Sequence, residues 1–231
     1  MYKKTKIVFD IETVGDDFDS LDETSKEYLT TWFERFAQTQ EEIEEQKDQL
    51  SFSPLTSKIV TIAMLNPDTD KGVVYFQAPG KDLKVSEKDG IRYIPGTEKE
   101  MLQFFWEDVA KYDTVITFNG RQFDCPFLMI RSAIHNIRPS KNLVPYRYDA
   151  NIHVDLFDQL TFYGALRRKM NLHFWTKAFG IQSPKEGEVR GEEVKKFFKD
   201  GKYEKIAYYC MADVKATAEL YRRWEKFLSG L

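Results

Sequence analysis

Residues 6–13, KIVFDIET, have the apolar content of a buried β-strand yet carry two acids, and that combination restricts the fold more than any other stretch of the chain. Side chains alternate across a strand, so Asp10 and Glu12 project from one face while Phe9 and Ile11 project from the other. Carboxylates held side by side in a low dielectric repel each other unless a cation, a shared proton or open water compensates them. The strand therefore either ends at a solvated surface or faces a site that brings a cation to it. Taken alone, the stretch leaves both open.

The pattern downstream places this strand in a sheet. Residues 58–65 and 72–77 read as two strands joined by the turn-forming Asn66-Pro67-Asp68. Met101, Leu102, Phe105, Trp106 and Val109 mark a helix over 98–111, and a short strand over 114–118 ends at the turn Asn119-Gly120. A helix is predicted over 124–135, with Pro126 tolerated in its first turn, and a last strand over 151–156. From residue 158 onward the chain reads as helices, separated by a loop at 180–191. Three early strands followed by alternating helix and strand predict an α/β fold: a mixed sheet flanked by helices on both faces. Between the first two strands, residues 22–49 place Tyr28, Leu29, Trp32, Phe33 and Phe36 at three-and-four spacing with acids on the outer face. This is an amphipathic helical insertion, spanning about residues 16–57, that could cover a sheet edge, contact a partner or repel misplaced nucleic acid.

No Pro/Gly/Ser-rich linker or internal repeat divides the 231 residues, so one domain over 1–231 is expected. Apolar runs such as 59–65 are strand-sized and no signal-peptide core precedes the polar segment at 10–17, which predicts a soluble, cytoplasmic protein without a membrane partner. Cys125 and Cys210 form no C-x-x-C pair, and His135, His153 and His173 lack metal-ligand spacing, so packing or surface roles are expected for the histidines. The net charge of −3 disfavours a nucleic-acid partner until its distribution is considered: residues 16–49 hold twelve acids and three bases, leaving +6 on the remainder. Bases cluster there at Arg138, Lys141 and Arg147 and again at Arg167, Arg168 and Lys169, as solvated faces or phosphate contacts.

Acids recur at two further places. In TFNGRQFDCPFL, Asp124 opens a predicted helix just after a strand, where it either caps the helix or comes near Asp10 and Glu12. In KIAYYCMADVKATAELYRRW, Tyr209 and Asp213 share a helical face, with Leu220 and Trp224 continuing an apolar stripe. Tyr209 reads as a core aromatic when taken alone, and Asp213 as a solvated acid surrounded by the core-like Ala212, Val214 and Ala216. Asp155 either orients a neighbour or satisfies backbone donors, the structural role being the simpler.

Together these segments resemble the three motifs of the DEDD superfamily of 3′ to 5′ exonucleases: FDIET the first, NGRQFD the second, and Tyr209-x-x-x-Asp213 the third. Tyrosine four residues before the last acid marks the DEDDy branch; the sister branch has histidine five before, where this chain has Tyr208. HVDLFDQL at 153–160 and FWTKAFGIQSPKEGEVRGEEV at 174–194 are similar to freestanding exonucleases related to the proofreading domain of family B DNA polymerases. The resemblance implies a ribonuclease H-like fold and two Mg2+ or Mn2+ ions held by Asp10, Glu12, Asp124 and Asp213. It also implies a Tyr209 that orients the attacking water, and release of nucleoside 5′-monophosphates from the 3′ end of a single strand, DNA before RNA. Asn119 and Phe123 are then candidates for contact with the terminal sugar or base, and a replication or repair protein is a candidate partner. Two other readings stay open: a non-catalytic nucleic-acid-binding or polymerase-associated module of the same fold, and a metal-dependent phosphatase of small nucleotides.

Overall fold

The computed structural model describes residues 4–37, 39–183 and 191–230, apart from the side chain of Glu192. Its frame is a seven-stranded mixed sheet in which β1 (Lys6–Gly15) lies between β2 (Ser57–Leu65) and β6 (Thr114–Thr117). Outward from β2 come β3 (Gly72–Phe76), β5 (Ile91–Pro95) and the edge strand β4 (Ser86–Lys88), while β7 (His153–Asp155) forms the edge beyond β6. β1 and β2 pair antiparallel, as do β2 and β3, whereas β6 and β7 join in parallel.

The alternation of β1 divides the core in two. Ile7, Phe9 and Ile11 pack beneath α3 (Glu98–Val109) and α4 (Asp124–Ile134), whose apolar stripes supply Met101, Leu102, Phe105, Val109, Phe127 and Leu128. Val8 faces the opposite layer, dominated by the long helix α8 (Tyr203–Phe227), which buries Ala207, Cys210, Met211, Val214, Ala218 and Leu220 against β1, β2 and β3. Each fully buried Leu, Val or Met side chain contributes about 1.5–3 kcal/mol, so this stripe, rather than intrinsic helix propensity, fixes where α8 lies. α5 (Leu156–Leu160), α6 (Leu172–Ala178) and α7 (Val194–Lys199) complete that layer. Of the predicted 180–191 loop, residues 184–190 lie outside those described.

Two expectations change. The β4–β5 hairpin was hidden because its strands are short and charged, although its two-residue turn, Asp89-Gly90, has left-handed φ at both positions (53° and 74°), the preferred hairpin chemistry. The insertion is two helices, α1 (Glu23–Phe33) and α2 (Gln40–Asp48), and of its predicted apolar stripe only Phe33 is fully buried; Tyr28 and Phe36 face solvent. Among the described residues it meets chiefly the inner strands β1 and β2. The turn that follows α2, Gln49–Phe52, docks on the far end of the central strand, where the Thr13 hydroxyl donates to the Ser51 carbonyl at 2.7 Å. A Cβ on Gly15 would lie 2.8 Å from the Ser51 nitrogen, so this close approach requires glycine.

Candidate active site

Asp10 and Glu12 extend the Val8 face of β1 toward α8, half-buried, as strand alternation predicts. The β1–β2 register runs Asp10 opposite Ala63 and Glu12 opposite Thr61, then skips Val60 so that Thr13 faces Ile59. This bulge lies immediately beside Glu12, at the point where β1 turns from the core toward the insertion.

Asp124 arrives from the other side of β1. β6 pairs with β1 only from Lys6 to Val8, so the later N–H groups on that edge need another acceptor. The Ile11 N–H, between the two acids, donates to Asp124 Oδ1 at 3.0 Å. Asp124 is the first residue of α4 and buried, and its carboxylate is turned onto β1 rather than capping its own helix. The N-cap residue is Phe123, whose side chain makes no capping bond. The turn before it is sterically exacting: Asn119 has a left-handed φ of 62°, and a Cβ on Gly120 would lie 2.5 Å from the Thr117 side chain.

α8 closes the group from above. Its half-buried Asp213 is electrostatically coupled to Asp10 and Glu12, and Tyr209, one turn earlier, hydrogen-bonds to it. The Tyr209 ring packs with Val14, Val60, Val194 and Ile206, as expected of a core aromatic, while its hydroxyl is directed toward the acids. Tyr208 points elsewhere, stacking edge-on against Tyr93 with centroids 4.9 Å apart. Cys210, which sequence reasoning missed, brings its Sγ to 3.7 Å from Asp10 Oδ2 and 3.5 Å from the Asp10 carbonyl. Its place next to Tyr209 on the helix was the available signal.

Four carboxylates in one pocket alter one another's chemistry. Burial, then the neighbouring acids, push Asp10 and Glu12 well above the usual carboxylate range. Burial raises Asp124 to about 7 against the opposing pull of its hydrogen bonds, one of them to Asp10. Tyr209 is pushed up by burial and then by Asp213, Glu12 and Asp10, so its hydroxyl stays protonated and able to donate. The Cys210 thiol is likewise raised, by burial and then the four acids, which makes it a proton donor to Asp10 rather than a thiolate ligand. Oxygen ligands from Asp10, Glu12, Asp124 and Asp213 form a donor set for a hard divalent cation, and such a cation would offset the repulsion that, after burial, raises Asp10 and Glu12. Ligand-capable atoms of Asp10, Glu12 and Cys210 already lie within 4.8 Å of one another.

Around this centre, Asp155 has the structural role: its carboxylate accepts from the backbone N–H groups of Asn119 (2.8 Å), Arg121 (2.9 Å) and Phe157 (3.0 Å), fixing the loop that leads to Asp124. Asn119 and Phe123 are half-buried beside that loop. Phe123 packs on Phe127 and on the exposed Phe52 of the insertion, at centroid distances of 5.2 and 6.1 Å, so the insertion contributes an aromatic to the rim that no sequence signal marked. His153 is buried between the Thr117 hydroxyl (2.8 Å) and the Leu143 carbonyl (2.9 Å), and burial lowers it to about 4. The first basic cluster is largely spent internally. Lys141 donates to the Tyr112 carbonyl, and Arg147 forms a two-pronged pair with Asp158 (3.0 and 2.5 Å), leaving Arg167, Arg168 and Lys169 exposed. Among the described residues no helix is long and apolar enough to cross a membrane.

Residues 52–231 match the model of a family described as a predicted 3′-5′ exonuclease related to the exonuclease domain of PolB. Similar sequences include the DNA polymerase of Desulfurococcus sp. (strain Tok), 32% identical over 54% of this chain and 18% of that polymerase. The DNA polymerase of Pyrococcus horikoshii is 28% identical over 78% of this chain and 16% of its own length. The structure of the family B DNA polymerase from Pyrobaculum calidifontis superposes with a TM-score of 0.62 at 17% identity, covering 98% of this chain and 25% of that one. The mixed sheet and its helices are thus the ribonuclease H-like fold of that exonuclease domain, and the chain spans a quarter or less of each polymerase named.

Proposed function

Because the chain belongs to the family of predicted 3′-5′ exonucleases related to the exonuclease domain of PolB, we propose that it is an active, divalent-metal-dependent enzyme of the DEDDy type. In this proposal it removes nucleoside 5′-monophosphates from the 3′ end of single-stranded DNA. The observation that carries this is the convergence of Asp10, Glu12, Asp124 and Asp213 from β1, α4 and α8, with the Tyr209 hydroxyl bonded to the last.

The four carboxylates would hold Mg2+ or Mn2+, two ions by analogy with other phosphodiester hydrolases. When bound, the metal supplies positive charge against the phosphodiester and lowers the pKa of water. The chain's own groups do the rest. Tyr209, kept protonated by the acids around it, orients the attacking water through its hydroxyl. Asp124, tied to the Ile11 N–H, fixes the distance between the second-motif loop and β1, and Asp155 holds that loop from behind. Phe123, supported by Phe52, offers a ring face to the terminal base, and Asn119 offers an amide to the terminal sugar. A terminal nucleotide must separate from its partner to enter such a site, which favours frayed or single-stranded ends.

The test is incubation with 5′-labelled and 3′-labelled single strands of DNA and RNA, with Mg2+, Mn2+ or chelator. A ladder shortening from the 3′ end, abolished by chelator and by Asp10→Ala, is expected. Cleavage of circular single strands, or binding with no hydrolysis in any metal, would sink the proposal, the latter returning the chain to a binding module.

A further inference from the structure

The loop 145–149 and the turn 161–164 form an exposed aromatic ladder outside the acidic centre. Tyr146 is 75% exposed, Tyr148 57% and Phe162 56%. The two tyrosines are not scattered: Tyr146 lies 5.5 Å from Tyr148, and Tyr148 lies 4.6 Å from Tyr163, the chain neighbour of Phe162. Three residues in a row hold left-handed backbone to present this face, Phe162 (48°), Tyr163 (55°) and Gly164 (99°), a conformation that two consecutive bulky residues rarely adopt. The surroundings enforce it. The Tyr163 N–H donates to the Asp158 carbonyl at 2.7 Å, the Tyr163 hydroxyl accepts from Gln159 Nε2 at 2.8 Å, and the Arg147 guanidinium, braced by Asp158, sits 6.0 Å above the Tyr163 ring.

Two further features say what this face suits. Arg167, Arg168 and Lys169 begin three residues beyond the turn, all exposed, and none pairs with an acid among the described residues. The ladder also shares its foundation with the acidic centre. Arg121, on the loop leading to Asp124, donates through Nη1 to the Pro145 carbonyl at 2.7 Å and lies 3.7 Å from Asp158. Rigid ring faces next to unpaired cations suit alternating bases and phosphates, whereas a protein partner's apolar surface would leave three adjacent cations without counter-charge.

We propose that Tyr146, Tyr148 and Phe162, with Arg167, Arg168 and Lys169, form a stacking platform for single-stranded DNA on the 5′ side of the nucleotide in the acidic centre. The platform rests on the exonuclease reading for its direction but binds DNA without metal or turnover. Its test is therefore fluorescence anisotropy of 5′-fluorescein-labelled (dT)12 in chelator, run beside Mn2+-dependent hydrolysis of thymidine 5′-monophosphate p-nitrophenyl ester, which is too small to reach the ladder. Tyr146→Ala/Tyr148→Ala should weaken (dT)12 binding roughly 10-fold or more, since stacking contributes ~1–3 kcal/mol per base. The same variant should hydrolyse the small ester at the wild-type rate, and Tyr146→Phe/Tyr148→Phe, which keeps the rings, should bind (dT)12 as wild type does. Arg167→Glu/Arg168→Glu should reduce the salt slope of binding by about 1–2. Unchanged (dT)12 affinity in the alanine pair, or equal loss in the phenylalanine pair, overturns the platform. Ladder-dependent binding in a wild-type protein that hydrolyses neither substrate supports the platform and overturns the exonuclease reading instead.

Discussion

Asp124 accepts its hydrogen bond from the backbone N–H of Ile11, the one residue that separates the first two acids. The third carboxylate is thereby tied directly to the main chain that carries the first two. Asp124→Asn keeps an oxygen that can accept from Ile11 and removes a charge from a repelling cluster. Turnover with saturating metal should fall at least ~100-fold, as for loss of a positioned catalytic group, while the melting temperature in chelator rises. A fall in the chelator melting temperature would mean that the carboxylates do not oppose one another in the metal-free fold.

The burial of Asp124 sets a pH dependence. Asp124 has a folded pKa of about 7 against an unfolded value near 3.8, so between those limits the folded chain holds more protons than the unfolded one. Its contribution to stability is complete below pH 4 and is lost as pH rises to 7, the reverse of an acid held by a cation. The melting-temperature difference between wild type and Asp124→Asn, measured in chelator, should widen in the variant's favour from pH 4.5 to 7.5, and saturating Mg2+ should erase the trend. A pH-independent difference would contradict it.

For Tyr209→Phe, the ring keeps its packing against Val14, Val60, Val194 and Ile206, and only the hydroxyl bonded to Asp213 is removed. Metal affinity, read by titration calorimetry, should stay within about threefold of wild type, whereas single-turnover hydrolysis should slow by ~100 to 10,000-fold. Full single-turnover rate at saturating Mn2+ would leave Tyr209 with a packing role alone.

Stability has a separate keystone away from the acids. Buried Glu98 accepts both Nε and Nη2 of Arg131 (2.8 and 2.7 Å), the Ile59 N–H (2.8 Å) and His135 Nε2 (2.8 Å). Burial alone would raise its pKa; these partners, Arg131 first, bring it below the usual value. Arg131→Met strands the carboxylate and frees the Pro54 carbonyl that anchors the insertion's return. Denaturant unfolding should show a loss of about 3–5 kcal/mol, largely recovered when Glu98→Gln is added. A loss under 1 kcal/mol would place the pair on the solvated side of that estimate.

How much of this was legible depends on the range of the physics involved. Strand alternation placed Asp10 and Glu12 on one face, and helical spacing placed Tyr209 beside Asp213, because both are local periodicities. The mixed sheet followed from element order. What spacing could not carry was the turning of Asp124 away from its own helix, since that needs β6 to part from β1 after Val8. Cys210 and Phe52 join the site through docking of α8 and of the insertion, contacts between segments far apart in the chain. The β4–β5 hairpin was missed for a different reason. Its Asp-Gly turn was visible, but three charged or polar residues gave β4 no alternation to recognise.

The Cys210 sulfur meets Asp10 across 200 residues of sequence. Seen in time rather than space, that separation orders the birth of the centre. A chain emerging in sequence order presents Asp10 and Glu12 first, then Asp124, and gains Tyr209 and Asp213 last. Loop closure over such a span is slow compared with forming a helix or hairpin. The nascent polypeptide accordingly carries the strands of its sheet before its four carboxylates can meet, and their meeting comes late in folding.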